Sequence, residues 1–353
     1  MLVLQGGGAL GAYQLGVYEA LHEAGLEPDW VVGTSIGAIN GALIAGNAPP
    51  RRLERLRAFW DQIAQDGSWG QALSHWGTLT RGIPGFFAPG AGSLYGPYAP
   101  LGLERAAWYD TAPLRATLAR LLEFERLQPD GATRLTVGAV SACRGRMHYF
   151  DSRDGALGPA HVLASGALPP AFAAVRIGGE PYWDGGLYSN TPVECVLDDQ
   201  PRRDSTIFSV HLWDPEGPEP QSIWEVGNRQ KDIQYASRGD SHLARQQQIH
   251  QLRHIIRELG RQLSPEQRRR PEVRALTAWG CGTRMHVLRL MAPRLAGEDQ
   301  TKDMDFRRAS IEQRRQAGLT DTRAALAARP WAAPLAPTEG VQVHDCRGRA
   351  DCG

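Results

Sequence analysis

Hydrophobic positions fall into two regimes along this chain. Up to about residue 214 they come as short uncharged runs broken by glycine and proline; beyond it they thin out through Gln- and Arg-rich sequence. Leu2 to Gln5 reads as a strand. Ala9 to Ala24 follows as a helix, with Leu10, Tyr13, Val17, Leu21 and Ala24 at helical spacing. Trp30-Val31-Val32 reads as a second short strand, and Ile36 to Gly46, rich in Ala, Gly and Ile, as a closely packed helix. Arg51 to Gln65 is amphipathic, with Leu53, Leu56, Phe59, Trp60 and Ile63 on one side. A further helix is expected over Pro113 to Phe124, and strands over Arg134 to Ser141, Met147 to Asp151 and Ile207 to Trp213.

Trp30 to Pro50 carries no charge and is long enough to span a bilayer. Its glycines, Ser35, Asn40, Asn47 and two prolines fit a strand, a turn and a buried helix better. No basic leader precedes the first strand, so a cytoplasmic protein that touches membranes at most peripherally is expected.

From Asp214-Pro215 the character changes. A Pro-rich turn leads into a helix over Ser222 to Leu263, a break at Pro265 to Pro271, a late strand at Met285 to Leu290 and a polar helix over Asp303 to Ala328. Residues 330 to 353, with Pro330, Pro334 and Pro337, read as extended or disordered. The expected division is therefore 1–214, 215–329 and 330–353.

Composition narrows the partners. Lys+Arg is 39 and Asp+Glu 38, for a net charge of +1, so no global field favours nucleic acid. Only Lys231 and Lys302 of the basic residues are lysine, which reads as a coding bias. Five cysteines without a C-x-x-C read as core residues (Cys143, Cys195, Cys281) plus a tail pair, Cys346 and Cys352. His250 and His254, four apart on a helix, read as a solvated face without a third metal ligand.

Candidate chemistry centres on Gly33-Thr34-Ser35-Ile36-Gly37. A serine between two glycines, where a strand becomes a helix, is the pattern of a nucleophile elbow. Gly6-Gly7-Gly8, between the first strand and helix, leaves backbone N–H groups that could form an oxyanion hole or cradle a phosphate. Gly6-x-Gly8-x-x-Gly11 also matches a dinucleotide fingerprint, but that fold wants an acid at the end of the second strand. Asp29 stands at its start instead. No histidine occupies an obvious base position among His211, His242, His250, His254 and His286. Asp184, followed by Gly185 and Gly186 after a strand-like run, is a candidate base, or simply part of a turn.

These blocks resemble the patatin-like phospholipase family. The loop Gly6-Gly7-Gly8-Ala9-Leu10-Gly11, the elbow Gly33 to Gly37, Ala164-Ser165-Gly166-Ala167-Leu168-Pro169 and Asp184-Gly185-Gly186 through Asn190 and Pro192 occur in the family's order. The resemblance implies a three-layer α/β/α sandwich on a mainly parallel sheet, here with a helical C-terminal extension. It makes Ser35 the nucleophile, Asp184 its sole partner and the Gly6, Gly7 and Gly8 N–H groups the oxyanion hole, with Gly11, Gly33, Gly37, Gly185 and Gly186 in support. It implies a serine lipid acyl hydrolase acting through an acyl-enzyme, needing no cofactor or metal. The substrate would be a lipid or another acyl ester, with transient membrane-surface contact and no nucleic-acid partner. An acyltransferase or thioesterase on the same dyad, or a non-catalytic lipid-binding protein, stays open. The family commonly has Lys or Arg where Leu10 stands, so no basic side chain is implied there. Phe86-Phe87, Leu94-Tyr95 and Trp108-Tyr109, in a stretch rich in Gly, Pro and aromatics, could line an acyl pocket, form a lid or pack on themselves.

Overall fold

The computed structural model describes residues 1–66, 80–333, 336 and 338–346. Nine strands form one sheet: β1 Leu2–Leu4, β2 Trp30–Thr34, β3 Arg134–Ser141, β4 Met147–Asp151, β5 Val175–Ile177, β6 Glu180–Asp184, β7 Ser205–His211, β8 Met285–Met291 and β9 Val341–Cys346. Their order is β9-β8-β7-β1-β2-β3-β6-β5, with β4 paired to β3 off this path. All pairings from β9 through β3 are parallel; those of β4, β5 and β6 are antiparallel.

Side-chain alternation along these strands divides the core into two layers. Leu2, Leu4, Val31, Phe208, Val210, Leu288 and Leu290 point to one face, beneath α1 (Ala12–Glu23), α2 (Ile36–Ala45), α3 (Pro49–Ile63) and the late helix Arg308–Ala328. Val3, Trp30, Val32, Ile207, Met285, Val287 and Val341 point to the other, against Val193–Leu197 and Leu243 of the long helix Ile223–Gln262. The architecture is thus a three-layer α/β/α sandwich. Both inner faces are buried, which is why these strands read as continuous apolar runs.

One register detail positions the site. On β3, Thr34 of β2 lies opposite Gly138, while Asp184 of β6 lies opposite the next residue, Ala139. Strand β4 occupies the other edge of β3 over Thr136 to Val140. Strands β2 and β6 therefore meet end to end along one edge. The residue after Thr34 and the last residue of β6 are brought together by backbone pairing alone.

The C-terminal part is more than a helical cover. It adds β8 and β9 to the central sheet, and Val341–Cys346 corrects the expectation that residues 330–353 are disordered: six of them pair in parallel with Met285–Leu290. Its last helix crosses α1 at backbone contact. A Cβ on Gly16 would stand 1.8 Å from the Arg315 carbonyl oxygen, and one on Gly318 would stand 2.1 Å from that of Tyr13. Around this crossing Tyr13 Oη donates to Asp321 (2.9 Å) and Arg315 pairs with Glu19 (2.7 Å).

Two other expectations change. His250 and His254 are buried, because the long helix lays them on the sheet's far side, where their Nε2 atoms meet the carbonyls of Leu197 (3.0 Å) and Thr283 (2.9 Å). Cys143 is exposed in the turn between β3 and β4, whereas Cys346 is buried in β9; Cys352 lies outside the described residues.

The helix crossing gives a stability prediction. Gly318→Val forces α1 and the last helix apart, and overpacking of this kind costs about 1–3 kcal/mol or more. Gly155→Ala, where an added Cβ meets nothing within 4 Å, leaves stability within about 0.5 kcal/mol. Paired urea titrations of the two variants measure the difference.

Candidate active site

Strand β2 ends at Thr34 and α2 begins at Ile36, so the chain reverses within a single residue. Gly33 and Gly37 make that possible. A Cβ on Gly33 would lie 2.3 Å from the Gly37 carbonyl oxygen, and one on Gly37 would lie 2.2 Å from that of Leu4. Ser35 at the apex takes φ 57° and ψ −126°, a conformation unfavourable for an L-residue by about 1–3 kcal/mol. It is fastened from below. The Ser35 N–H donates to Ser165 Oγ (3.0 Å), and that hydroxyl donates to the Gly138 carbonyl (2.6 Å). Ser165 is fully buried at the end of the helix Pro159–Ser165.

Asp184 reaches the same point from β6. Its carboxylate is 2% exposed, lies with Ser35 in the same cavity wall, and accepts from the Gly186 N–H at 2.7 Å. Burial pushes its pKa up to about 7, against the opposing effects of the neighbouring Ser35 side chain and the Gly186 N–H. A carboxyl whose pKa is raised toward neutrality is suited to exchange a proton with a neighbouring hydroxyl such as that of Ser35. No histidine is among the described residues lining the cavity at this serine.

The glycine loop faces the pair. The Gly6 N–H is taken up by the Asn190 carbonyl (3.1 Å), and the Gly6 carbonyl accepts from Asn190 Nδ2 (3.1 Å) and Trp213 Nε1 (2.8 Å). Gly6 is therefore an anchor rather than a free donor, and the three expected donors are narrowed to two. Gly7 and Gly8 carry N–H groups with no hydrogen bond to the described residues, and both line the cavity with Ser35. Gly8 has φ 54°, and a Cβ there would stand 2.3 Å from the Asp303 carbonyl oxygen. Gly11 packs on Ile36 and Gly185 on the Gly138 carbonyl, behind the site rather than in it. Leu10, where a basic residue was absent, is buried at 1% exposure.

The cavity itself holds about 170 Å³ and is mostly apolar around Ser35 and Asp184. Phe86, Phe87, Tyr109 and Phe172 form a continuous ring cluster, with centroids 4.7 Å apart for Phe87–Tyr109 and 5.5 Å for Phe87–Phe172. Of the aromatics singled out in the sequence, Phe86, Phe87 and Tyr109 thus line the pocket. Leu94 and Tyr95 are exposed at 80% and 66%. The part of that stretch at 67–79 lies outside the described residues. Among the described residues no group of three or more His, Cys, Asp or Glu is placed to hold a metal ion.

The structure brings Gly6, Gly7, Gly8, Ser35, Asp184 and Gly186 into one cavity wall. Sequence reasoning gave no role to Ser165 or Asn190, although both stand inside motifs it singled out. Trp213, Tyr235, Asp303, Met304 and Phe306 also line the cavity; they come from the region after residue 212, where no local pattern marks them.

A serine on a strand–helix elbow, facing a buried acid and a glycine loop in an α/β/α sandwich, defines a class of hydrolase folds. Within it the chain belongs to the patatin-like phospholipase family: that family's profile matches residues 2–197. A second profile, described as patatin phospholipase, matches residues 233–338. Among curated proteins, the lysophospholipase nte1 of Aspergillus terreus is 62% identical over 47 residues, 13% of this chain and 3% of that protein. The human patatin-like phospholipase domain-containing protein 6 is 48% identical over 59 residues, 17% of this chain and 4% of that protein. The chain thus matches only a small fraction of these relatives' length. Among solved structures, VipD from Legionella pneumophila aligns over 90% of this chain and 66% of that one at 13% identity, with a TM-score of 0.34.

The raised pKa of Asp184 makes a stability prediction. A carboxyl whose pKa is higher folded than unfolded contributes stability that is present below the unfolded value and lost as pH rises through about 7. Asp184→Asn removes that loss. The variant should match the wild type below about pH 4, pull ahead as pH rises from there to about 7, and hold an advantage on the order of a few kcal/mol at pH 8.5. Thermal melts across that range test it; a constant difference at all pH values would contradict a buried, titrating Asp184.

Proposed function

We propose that this protein is a serine lipid acyl hydrolase, of phospholipase A or lysophospholipase type, in which Ser35 and Asp184 form the catalytic dyad. The observation that carries the reading is a conformationally strained serine beside a buried aspartate in the wall of one largely apolar cavity. The two free loop N–H groups support it, as does membership of a family of phospholipases.

Catalysis on this reading has two halves. Asp184 takes the Ser35 proton as Oγ attacks the ester carbonyl, and the resulting oxyanion is stabilised by the Gly7 and Gly8 N–H groups. Collapse breaks the ester bond, and the alcohol leaves with the proton from Asp184. Asp184 next takes a proton from water, whose oxygen attacks the acyl-enzyme; collapse releases the fatty acid and returns the proton to Ser35. The N-terminal end of α2, directly after Ser35, favours the negative charge that develops. The aromatic cavity accommodates the acyl chain. The enzyme would work in the cytoplasm, as a peripheral visitor to lipid surfaces. Exposed Leu94 and Tyr95, on the segment that also supplies Phe86, Phe87 and Tyr109, suit such contact.

Fluorophosphonate labelling and hydrolysis of p-nitrophenyl esters test the reading. Wild-type protein should label and turn over. Ser35→Ala should lose both, and Asp184→Asn should lose turnover by about 10³-fold or more while staying folded. The acid limb of kcat/KM should inflect near pH 7, because Asp184 must be ionised to accept the proton and its pKa is raised to about 7. Turnover should survive His→Ala changes. Folded wild-type protein that neither labels nor hydrolyses would refute the proposal.

A further inference from the structure

Five of the residues lining the acyl cavity lie beyond the family's catalytic-domain match at 2–197, and three of them fall within one short segment: Asp303, Met304 and Phe306. This segment is wedged between the glycine loop and the aromatic cluster. On one side the Asp303 carbonyl lies against Gly8, close enough that any side chain there would collide with it. On the other, the Phe306 ring stacks on Trp60 (centroids 6.5 Å) and packs on Phe86 (5.6 Å). The backbone is tied to the end of α3, with the Gln65 N–H donating to the Phe306 carbonyl (2.8 Å) and the Arg308 N–H to the Gln65 carbonyl (3.2 Å).

The chain's two lysines both anchor this wedge. Lys302 Nζ is paired with Asp232 at 2.5 Å, with side chains 4% and 2% exposed. Lys231 Nζ is paired with Asp303 at 2.8 Å. Lys231 and Asp232 both lie on the long helix Ile223–Gln262, so two adjacent residues of one helix grip two adjacent residues of the wedge. Lys302 also stands 5.3 Å from the centroid of Trp213, whose indole donates to Gly6 of the glycine loop. A buried ion pair adds little net stability over an apolar one, because desolvation offsets the attraction. What it does impose is a single position. A wedge held only by apolar contacts could slide; one clipped by two ion pairs in register cannot.

We infer that residues 302–306 are the acyl-selecting wall of the active site, that Phe306 sets how far an acyl chain can extend, and that Lys302 is a positioning residue holding that wall in place. The inference rests on the acyl-hydrolase reading for its setting, yet its geometry concerns binding and does not require turnover. Truncating Phe306 opens the cavity toward Trp60 and Phe86. Replacing Lys302 with an apolar isostere frees the wedge while leaving Asp232 its second partner, Arg294 at 3.3 Å.

The test compares chain-length selectivity of Phe306→Ala, Lys302→Met and Lys302→Arg with wild type. One arm measures kcat/KM for p-nitrophenyl esters from acetate to palmitate. A second arm, in the Ser35→Ala background, measures calorimetric affinities for octanoate, dodecanoate and palmitate, and so stands whether or not the serine is catalytic. Phe306→Ala should move the preferred chain longer by two carbons or more and raise the palmitate-to-octanoate affinity ratio about tenfold. Lys302→Met should flatten the length preference about fivefold, and Lys302→Arg should restore it. An unchanged ratio in folded Phe306→Ala protein overturns the wall. A Lys302→Met variant that keeps wild-type selectivity, or a Lys302→Arg variant that fails to recover it, overturns the positioning role. Loss of ester turnover in wild type with a shifted binding ratio in Phe306→Ala would sink the hydrolase reading and keep the wall.

Discussion

Everything at this site depends on a carboxylate buried against a serine hydroxyl. Removing Asp184 from water disfavours its charged form, and the Ser35 side chain and the Gly186 N–H only partly offset that. Such an arrangement is unstable unless the surrounding backbone leaves neither partner anywhere else to go. The sheet supplies that constraint. Because β2 and β6 abut on one edge of β3, the elbow and the acid are located by consecutive residues, Gly138 and Ala139. Gly138 contributes again through its carbonyl, which orients Ser165 and thereby the Ser35 N–H. A shift of β3 by one residue would separate all four groups at once.

The glycine loop shows the same economy of support. Asn190, six residues past Asp184, bonds both the N–H and the carbonyl of Gly6. Loop and acid are thus parts of one unit, and a movement of either is transmitted to the other through a buried amide. Gln5 extends the unit: its amide donates to Thr191 Oγ1 at 2.6 Å, and its oxygen accepts from the backbone N–H groups of Leu212 and Trp213. Each buried polar atom in this cluster serves to fix a backbone segment, which is why an apolar substitute of equal size would not replace it.

Most of the parallel sheet was legible in the chain. Trp30 to Thr34, Arg134 to Ser141 and Ser205 to His211 are buried or half-buried runs bounded by turn residues, and such runs announce themselves. The elbow was legible for a different reason: a Cβ on either glycine would stand within 2.3 Å of a backbone carbonyl oxygen, so the motif is dictated by close backbone packing. What stayed hidden is tertiary. Gly6 looks identical to Gly7 and Gly8 in sequence, and only the position of Asn190, 184 residues away, distinguishes an anchored N–H from a free one. His250 and His254 sit among Arg and Gln and read as solvent-facing; the sheet's far side covers them, and carbonyls distant in sequence meet their Nε2 atoms. Val341–Cys346 follows a Pro-rich stretch, and its strand character comes from pairing with Met285–Leu290 rather than from its own pattern.

The C-terminal region presents the hardest case for reading by segments. Its helices carry charge on a thin apolar background, which suggests an appendage, yet its contacts with the remainder are those of a core. Gly16 and Gly318 let two helix backbones touch, and β8 and β9 continue a sheet whose central strands carry the elbow and the glycine loop. An appendage held by surface charge would be free to move without disturbing Ser35. Here the Asp303 carbonyl rests on Gly8 and the Phe306 ring lies among the aromatic rings of the cavity at Ser35, so no movement of the one leaves the other unchanged. That cavity is therefore a property of the whole sheet with both its ends. The polar composition of residues 215–329 reflects the outer surface of an integral layer, not independence from the site beneath it.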